Sequence, residues 1–282
     1  GRISLINNGT NTTALSDVIL NETMDLGIDI NLGTKVADTI TAGTVTSSGT
    51  NGINLSSINW IDATSIGDDT KIALMSEGNE SLANAINLLV TRYHYGNNTY
   101  KLQKIVENNI AYITLGYDDL YTAVHDTSAN RTYSLEEDEA VLPTGITGYG
   151  NMEGPASGEN LGTLTIAGNG YGILGGNKGG ITVQSGQTLN VNNVGRYTVN
   201  SETGAITITN DGMSGFSGAL TNSGRLNTNN SVFKNNTGEN GGAINNSGTA
   251  AITDTIFSGN TVTGQGGAIY NTAPNALIAN CT

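Results

Sequence analysis

Phe233-Lys-Asn-Asn236 followed by Gly241-Gly-Ala-Ile244, and again Phe257-Ser-Gly-Asn260 followed by Gly266-Gly-Ala-Ile269, decide how this chain folds. The Phe recurs after 24 residues and the Gly-Gly-Ala-Ile after 25. A degenerate copy, Ser217-Gly-Ala-Leu220, lies 24 residues ahead of the Gly241 block. A fixed period of this size marks stacked supersecondary units, none of which can bury its apolar face alone.

A coil that stacks on itself pairs each short strand with the strand one turn later, ~4.7–4.9 Å away. Equivalent residues then lie above one another. Phe233 and Phe257 are expected to form an aromatic ladder inside the coil, with Ile244 and Ile269 as its aliphatic neighbour. Ala243 and Ala268 suit a corner with little internal room. Gly241-Gly242 and Gly266-Gly267 permit a turn that a Cβ obstructs. Asn236 and Asn260 can bond corner backbone groups and each other. Leu220 to Phe233 and Ile244 to Phe257 are both 13 residues, whereas Phe-to-Gly-Gly grows from eight to nine, so slack belongs to that loop. The same 13-residue step from Ile269 lands on Thr282 instead of a Phe. Either that rung departs from the pattern, or its Thr272-Ala273-Pro274 turn holds one extra residue.

Outward from the repeat, residues 156–282 read as one solenoid of short β runs. They open at Leu161, Leu164 and Ile166 and continue through Ile181, Leu189 to Val191, Tyr197 to Val199 and Ala205 to Ile208. Residues 1–60 read as a second β-solenoid segment. Met24, Leu26, Ile28, Ile30 and Leu32 alternate with Asp25, Gly27, Asp29 and Asn31, which sets an apolar face against a polar one. No motif repeats there. Residues 61–155 differ: charge rises, glycine thins, and seven of the 11 Tyr fall between Tyr93 and Tyr133. A helix over Ser81 to Thr91, a hairpin of Tyr100 to Val106 with Ile110 to Leu115, and a helical turn capped at Asp118-Asp119 are expected in it. The fold expected is therefore predominantly β, two parallel solenoid segments interrupted by a small α+β insert. Glu136 to Glu139 and the stretch from Pro143 to Pro155 form an exposed joint.

Composition bounds the function. With a net charge of −13 and 11 scattered Lys plus Arg, nothing here neutralises a phosphate backbone or an anionic membrane, so no nucleic acid is expected as partner. Only 12% of residues are charged and 37% are hydrophobic, enough for a thin continuous core. One cysteine, Cys281, excludes a disulfide framework and reads as a small core residue in a strand. No apolar run approaches the ~20 residues that span a bilayer as a helix. A start at Gly1 and an end within a repeat are expected of an internal segment of a longer chain.

The paired Gly-Gly-Ala-Ile and Phe-x-x-Asn tetrapeptides resemble the repeats of the polymorphic outer-membrane proteins of chlamydiae and related bacterial adhesins. The resemblance covers about residues 210–282 directly, and residues back to about 160 by pattern. It implies a right-handed parallel β-helix, the passenger of a type V autotransporter whose C-terminal barrel lies elsewhere. It also implies a bacterial cell-surface location and an adhesive, virulence-related role.

Candidate sites are few. His94 and His125 lie among Tyr, Gly and Asp without a Gly-x-Ser-x-Gly elbow, so they read as structural or exposed and not catalytic. No enzyme activity is expected, although β-helices also carry polysaccharide lyases and hydrolases. Those need clustered carboxylates, and Asp211, Glu239 and Asp254 share no repeat position. Glu136 to Glu139, Asp68-Asp69 and Asp118-Asp119 offer hard oxygen ligands for Ca²⁺ but lack any loop motif for it, so no cofactor is expected. Tyr93, Tyr95, Tyr100, Tyr117 and Tyr121, with Tyr112 and Tyr133, either form a patch for a glycan or protein ligand or fill the core of an insert that lacks Phe. The function expected is a surface stalk of a large adhesin that presents loops or the insert to host or matrix protein or glycan. The alternative is a secreted β-helix acting on or binding carbohydrate.

Overall fold

A computed structural model describes residues 1–64, 66, 70–96, 98–125, 130–140, 152–153 and 162–282. The chain is overwhelmingly β, mostly in parallel sheets, with two six-residue helices among the described residues. It forms two compact units, Gly1–Asp118 and Asp119–Thr282. The boundary therefore falls inside the expected insert of 61–155, and parts of that insert are coils of the flanking solenoids.

In the second unit three parallel sheets run along the coil. The longest stacks Asn130–Ser134, Thr163–Ala167, Thr188–Asn192, Arg225–Asn229, Thr249–Thr253 and Ala276–Ala279. A second stacks Glu139–Ala140, Ile173–Leu174, Met213–Ser214, Val232–Lys234 and Ile256–Ser258. A third stacks Met152–Glu153, Ile181–Val183, Leu220–Asn222, Ile244–Asn246 and Ile269–Asn271. Inside, Leu164, Leu189, Leu226 and Ala250 form one buried column, and Ile166, Val191, Thr228 and Ile252 the next. Each such Leu or Ile withdrawn from water contributes about 1.5–3 kcal/mol. The first coil, Asn130–Ser134, lies within the stretch expected to be insert. It is covered by helix α2 (Leu120–His125), whose Leu120, Tyr121, Ala123 and Val124 are buried. A polar end to a solenoid needs such a cap.

Two short runs expected as solenoid strands do something else. Arg196–Val199 and Ile206–Asn210 pair antiparallel as a hairpin inserted between two coil strands. The Tyr197 hydroxyl reaches the Asp254 carbonyl at 3.0 Å, so the hairpin lies along later coils and does not form one. The unfinished step at Thr282 resolves as an extra residue. Ile244 pairs with Ile269, an offset of 25, while Ala250 pairs with Ala276, an offset of 26, so the added residue sits between Asn271 and Ala276. Cys281 lies in the following corner and not in a strand. Its Sγ–H points to the Ala279 carbonyl at 3.2 Å, as the Ser231 hydroxyl does to Asn229 and the Thr255 hydroxyl to Thr253.

In the first unit Arg2–Ser4, Met24–Asn31, Ile53–Ile61 and Ile86–Leu88 form one parallel sheet. Met24-Asp-Leu26, Ile53-Asn-Leu55 and Ile86-Asn-Leu88 stack as a repeated triplet that alternation alone does not reveal. That third triplet corrects the helix expected over Ser81 to Thr91. Helix α1 (Glu80–Ala85), capped by Asn79, stops where the apolar residues find strand partners in Ile53 and Leu55. The expected hairpin is present as Asn98–Glu107 and Ile110–Tyr117, turning at Asn108 and Asn109, both with positive φ. With Arg92–Tyr95 and Thr70–Ala73 it makes a four-stranded antiparallel sheet. Asp29 departs from the outward position that alternation predicts. It is fully buried, and its carboxylate accepts N–H groups from Asn7 and Gly9 at 2.7 and 3.1 Å, and the Asn59 amide at 2.6 Å.

Candidate functional site

The tyrosines cluster, but mostly inward. Tyr93, Tyr100, Tyr117 and Tyr121 are buried, and only Tyr95 of the five candidates is exposed, at 42%. Trp60, Tyr93, Tyr100 and Tyr117 form a chain of ring contacts with centroids 4.7, 5.7 and 6.0 Å apart. Tyr93 exchanges hydrogen bonds with the Thr64 backbone, and the Tyr100 hydroxyl accepts the Ile66 N–H. Burial pushes the Tyr93 hydroxyl pKa up. Of the two readings, patch or core, burial fits the core for Tyr93, Tyr100 and Tyr117 in the first unit and for Tyr121 in the second, and leaves Tyr95 facing solvent. The reason is steric: a segment without Phe has only these rings to fill the space between its hairpin and the solenoid sheet. Tyr121 belongs to the second unit, stacked on His125 at 4.1 Å, and Tyr133 is buried in the first coil with its hydroxyl on Glu139.

What the first unit does expose is the other face of the antiparallel sheet. Arg92 and His94 lie opposite Lys101 and Thr99. Arg92 Nε meets Asp118 Oδ2 at 2.7 Å, a bond that raises the Arg92 pKa further. Lys71 pairs with Glu107 and stands 4.1 Å over the Tyr112 ring. His94 Nδ1 lies 3.2 Å from the Thr99 hydroxyl. His125 Nδ1 lies 2.8 Å from the Tyr121 carbonyl at the end of α2. Of the carboxylates with Ca²⁺ potential, Asp118, Asp119, Asp138 and Glu139 have protein partners. Asp119 Oδ1 accepts the Thr122 N–H at 2.6 Å, Glu139 holds the Leu120 N–H, and Asp138 accepts from Gly172 and Asn210. Asp68-Asp69 and the stretch between Pro143 and Pro155 lie outside the described residues, apart from the strand Met152–Glu153. Among the described residues no group of three His, Cys, Asp or Glu is placed to hold a metal ion.

The repeat residues are brought together. Phe233 and Phe257 stack with centroids 5.4 Å apart and ring planes at 14°. Ile244 lies between Leu220 and Ile269 in register, with Ala243 fully buried beside it. Gly241 has φ +63°, and a Cβ there would stand 2.1 Å from the Ile244 carbonyl oxygen, while one on Gly242 would meet the Gly267 oxygen of the next coil at 2.5 Å. Gly266 and Gly267 repeat the turn, with Ala268 and Ile269 following. Asn236 Oδ1 accepts the Phe216 N–H at 2.9 Å, and its Nδ2 donates to Met213 O and Asn260 Oδ1 at 2.9 and 3.0 Å.

Two ladders escaped sequence reasoning. Asn222, Asn246 and Asn271 stack inside the opposite corner, amide to amide at 2.5 and 2.6 Å. Asn169, Asn193, Asn230, Asp254 and Asn280 all take the left-handed conformation, φ 46° to 54°, and line one corner of five successive coils. The first signal was visible as the Asn two residues after each Leu220, Ile244 and Ile269. The second was masked by the hairpin, which stretches one interval from 24 to 37 residues.

The Chlamydia polymorphic membrane protein repeat family model matches residues 254–272, the segment holding Phe257, Asn260 and Gly266 to Ile269. No curated protein and no solved structure matches the chain.

Proposed function

We propose that this chain is a β-helical passenger segment of a bacterial cell-surface protein, and that its role is adhesive and not enzymatic. The observation that carries the proposal is the polymorphic membrane protein repeat at 254–272 set in a stacked parallel solenoid. Parallel ladders make a stiff support, and the hydrophobic and amide columns leave its loops free to vary. Repeat residues Phe233, Asn236, Gly241 to Ile244, Phe257, Asn260 and Gly266 to Ile269 are scaffold in this account. Recognition falls to the features that interrupt the coil: the face of the antiparallel sheet bearing Arg92, His94 and Lys101, the exposed Tyr95 at the end of its edge strand, and the hairpin tip at Asn200 to Gly204. The partner class is a host or matrix protein or a glycan, with no cofactor.

Beads coated with the whole chain, incubated with epithelial cells, test this. Saturable adhesion lost on replacing Tyr95 and His94, or Glu202 and Thr203, supports an adhesive passenger. Equal adhesion by uncoated and coated beads contradicts it.

A further inference from the structure

Strand Ile86–Leu88 is the last of its parallel sheet. The Leu89 N–H donates to the Leu55 carbonyl at 3.0 Å, so alternation turns the backbone groups of Ile86 and Leu88 away from that neighbour. The Ile86 N–H is held by the Leu82 carbonyl, and its own carbonyl by Lys104 Nζ at 2.5 Å. The N–H and C=O of Leu88 take no hydrogen bond among the described residues. Beside this edge runs a groove of about 620 Å³. Ile86, Leu88, Leu102 and Ile105 supply its apolar lining, with Asn87 and Lys104 as polar points. The volume lies in the usual range for a bound ligand, about 300–1,000 Å³.

Lys104 is the unusual part. Its ammonium donates to the Ala83 carbonyl at 3.0 Å as well as to Ile86, and no carboxylate lies within ion-pair distance among the described residues. An ammonium has three donors, so one remains. Lys71 and Arg92 of this antiparallel sheet each have a carboxylate. Lys104 is half-buried, and burial lowers its pKa. A half-buried cation without a counter-ion is locally a favourable place for an incoming anion, working against the general repulsion from a chain of net charge −13.

We propose that this groove binds an extended acidic peptide segment of a partner protein. Its backbone pairs with the free edge at Leu88, and a Glu or Asp side chain meets Lys104 Nζ. Strand addition supplies the amide groups that the Leu88 edge lacks, the apolar wall takes alternate side chains, and the carboxylate sets specificity. The site is independent of the adhesive surfaces proposed above.

The test uses the whole 282-residue chain, isotope-labelled, and an acetylated, amidated hexapeptide of sequence Val-Thr-Val-Glu-Val-Thr followed by NMR. Saturable shifts at the Leu88, Thr91 and Gln103 amides are expected. Replacing the peptide Glu by Gln weakens binding about tenfold, and about 1 M NaCl, where screening acts beyond roughly 3 Å, narrows the difference between the two peptides. Lys104→Met makes both peptides bind alike. Should that variant fail to fold, the Glu and Gln comparison on the unaltered chain still decides. Absence of saturable shifts at millimolar peptide, shifts confined to other residues, or equal binding of the two peptides overturns the proposal.

Discussion

Replacing Phe233 by Ala removes a ring held from both sides. Phe233 is fully buried, pairs with Met213 of the coil before, and stacks on Phe257 of the coil after. Core Phe→Ala changes cost about 3–5 kcal/mol. The parallel ring contact, itself ~0.5–1.5 kcal/mol, places this one in the upper half of that range. Phe257 is only half-buried, with Phe233 as its in-register strand partner. Phe257→Ala should therefore cost about half as much, ~2 kcal/mol. A single melting curve is a poor readout for a chain of two compact units. Native-state hydrogen exchange at the Asn235 and Thr261 amides, which bond Ser258 and Asn236 across coils at 2.9 Å, reads the opening locally. Protection there should fall about a thousandfold or somewhat more in Phe233→Ala, at ~1.4 kcal/mol per tenfold. A loss below tenfold, or a larger loss in Phe257→Ala than in Phe233→Ala, refutes the interior ladder.

Asn236→Ala strips partners from the buried Phe216 N–H and Met213 carbonyl, each worth about 1–3 kcal/mol, so urea unfolding of the second unit should shift by ~3 kcal/mol, and Asn236→Asp should cost at least as much because it buries a carboxylate against the Met213 carbonyl and Asn260 Oδ1. Asp29 is the pH-sensitive point. Burial alone would raise its pKa, but the Asn7, Asn59, Gly9 and Asn8 hydrogen bonds outweigh it and hold the carboxyl below its ordinary value of 3.8. A depressed folded pKa means stability present above the unfolded value and lost as pH falls through the folded one. Exchange protection at Asn7 and Gly9 should thus persist at pH 5 to 7, fall only below about 3.8, and be weak at every pH in Asp29→Ala. Cys281→Ser keeps the corner bond to Ala279 and should change exchange protection at the Asp254 amide, which bonds the Ala279 carbonyl, by about 0.5 kcal/mol or less, while Cys281→Val should lower it.

The solenoid was legible where residues recur in the same chemical form. Phe233 with Phe257, and Ile244 with Ile269, announce a stack because each needs its copy as a neighbour. Long-range bonds between unlike residues were not legible. Asp29 looks like the polar half of an alternating strand, and only the return of residues 7 to 9 in space makes it a core carboxylate. Ile86-Asn-Leu88 fits a helical face as well as a strand, since a short apolar run carries no period of its own. Its resemblance to Ile53-Asn-Leu55, 33 residues away, decides the matter only once the intervening helix is known. The tyrosines show the same limit for the candidate site: composition places them together, but whether rings face inward depends on what else can fill the core. Groove residues Leu102 and Ile105 give no signal, because the feature there is a missing strand and a missing counter-ion.

Methyl NOESY spectra of the whole chain test the stacked parallel coil most directly. Successive equivalents lie one strand spacing apart, ~4.7–4.9 Å, and alternate ones about twice that. The account predicts cross-peaks from Leu220 to Ile244 and from Ile244 to Ile269, with none from Leu220 to Ile269. Cross-peaks that place Ile244 beside neither Leu220 nor Ile269 would contradict it.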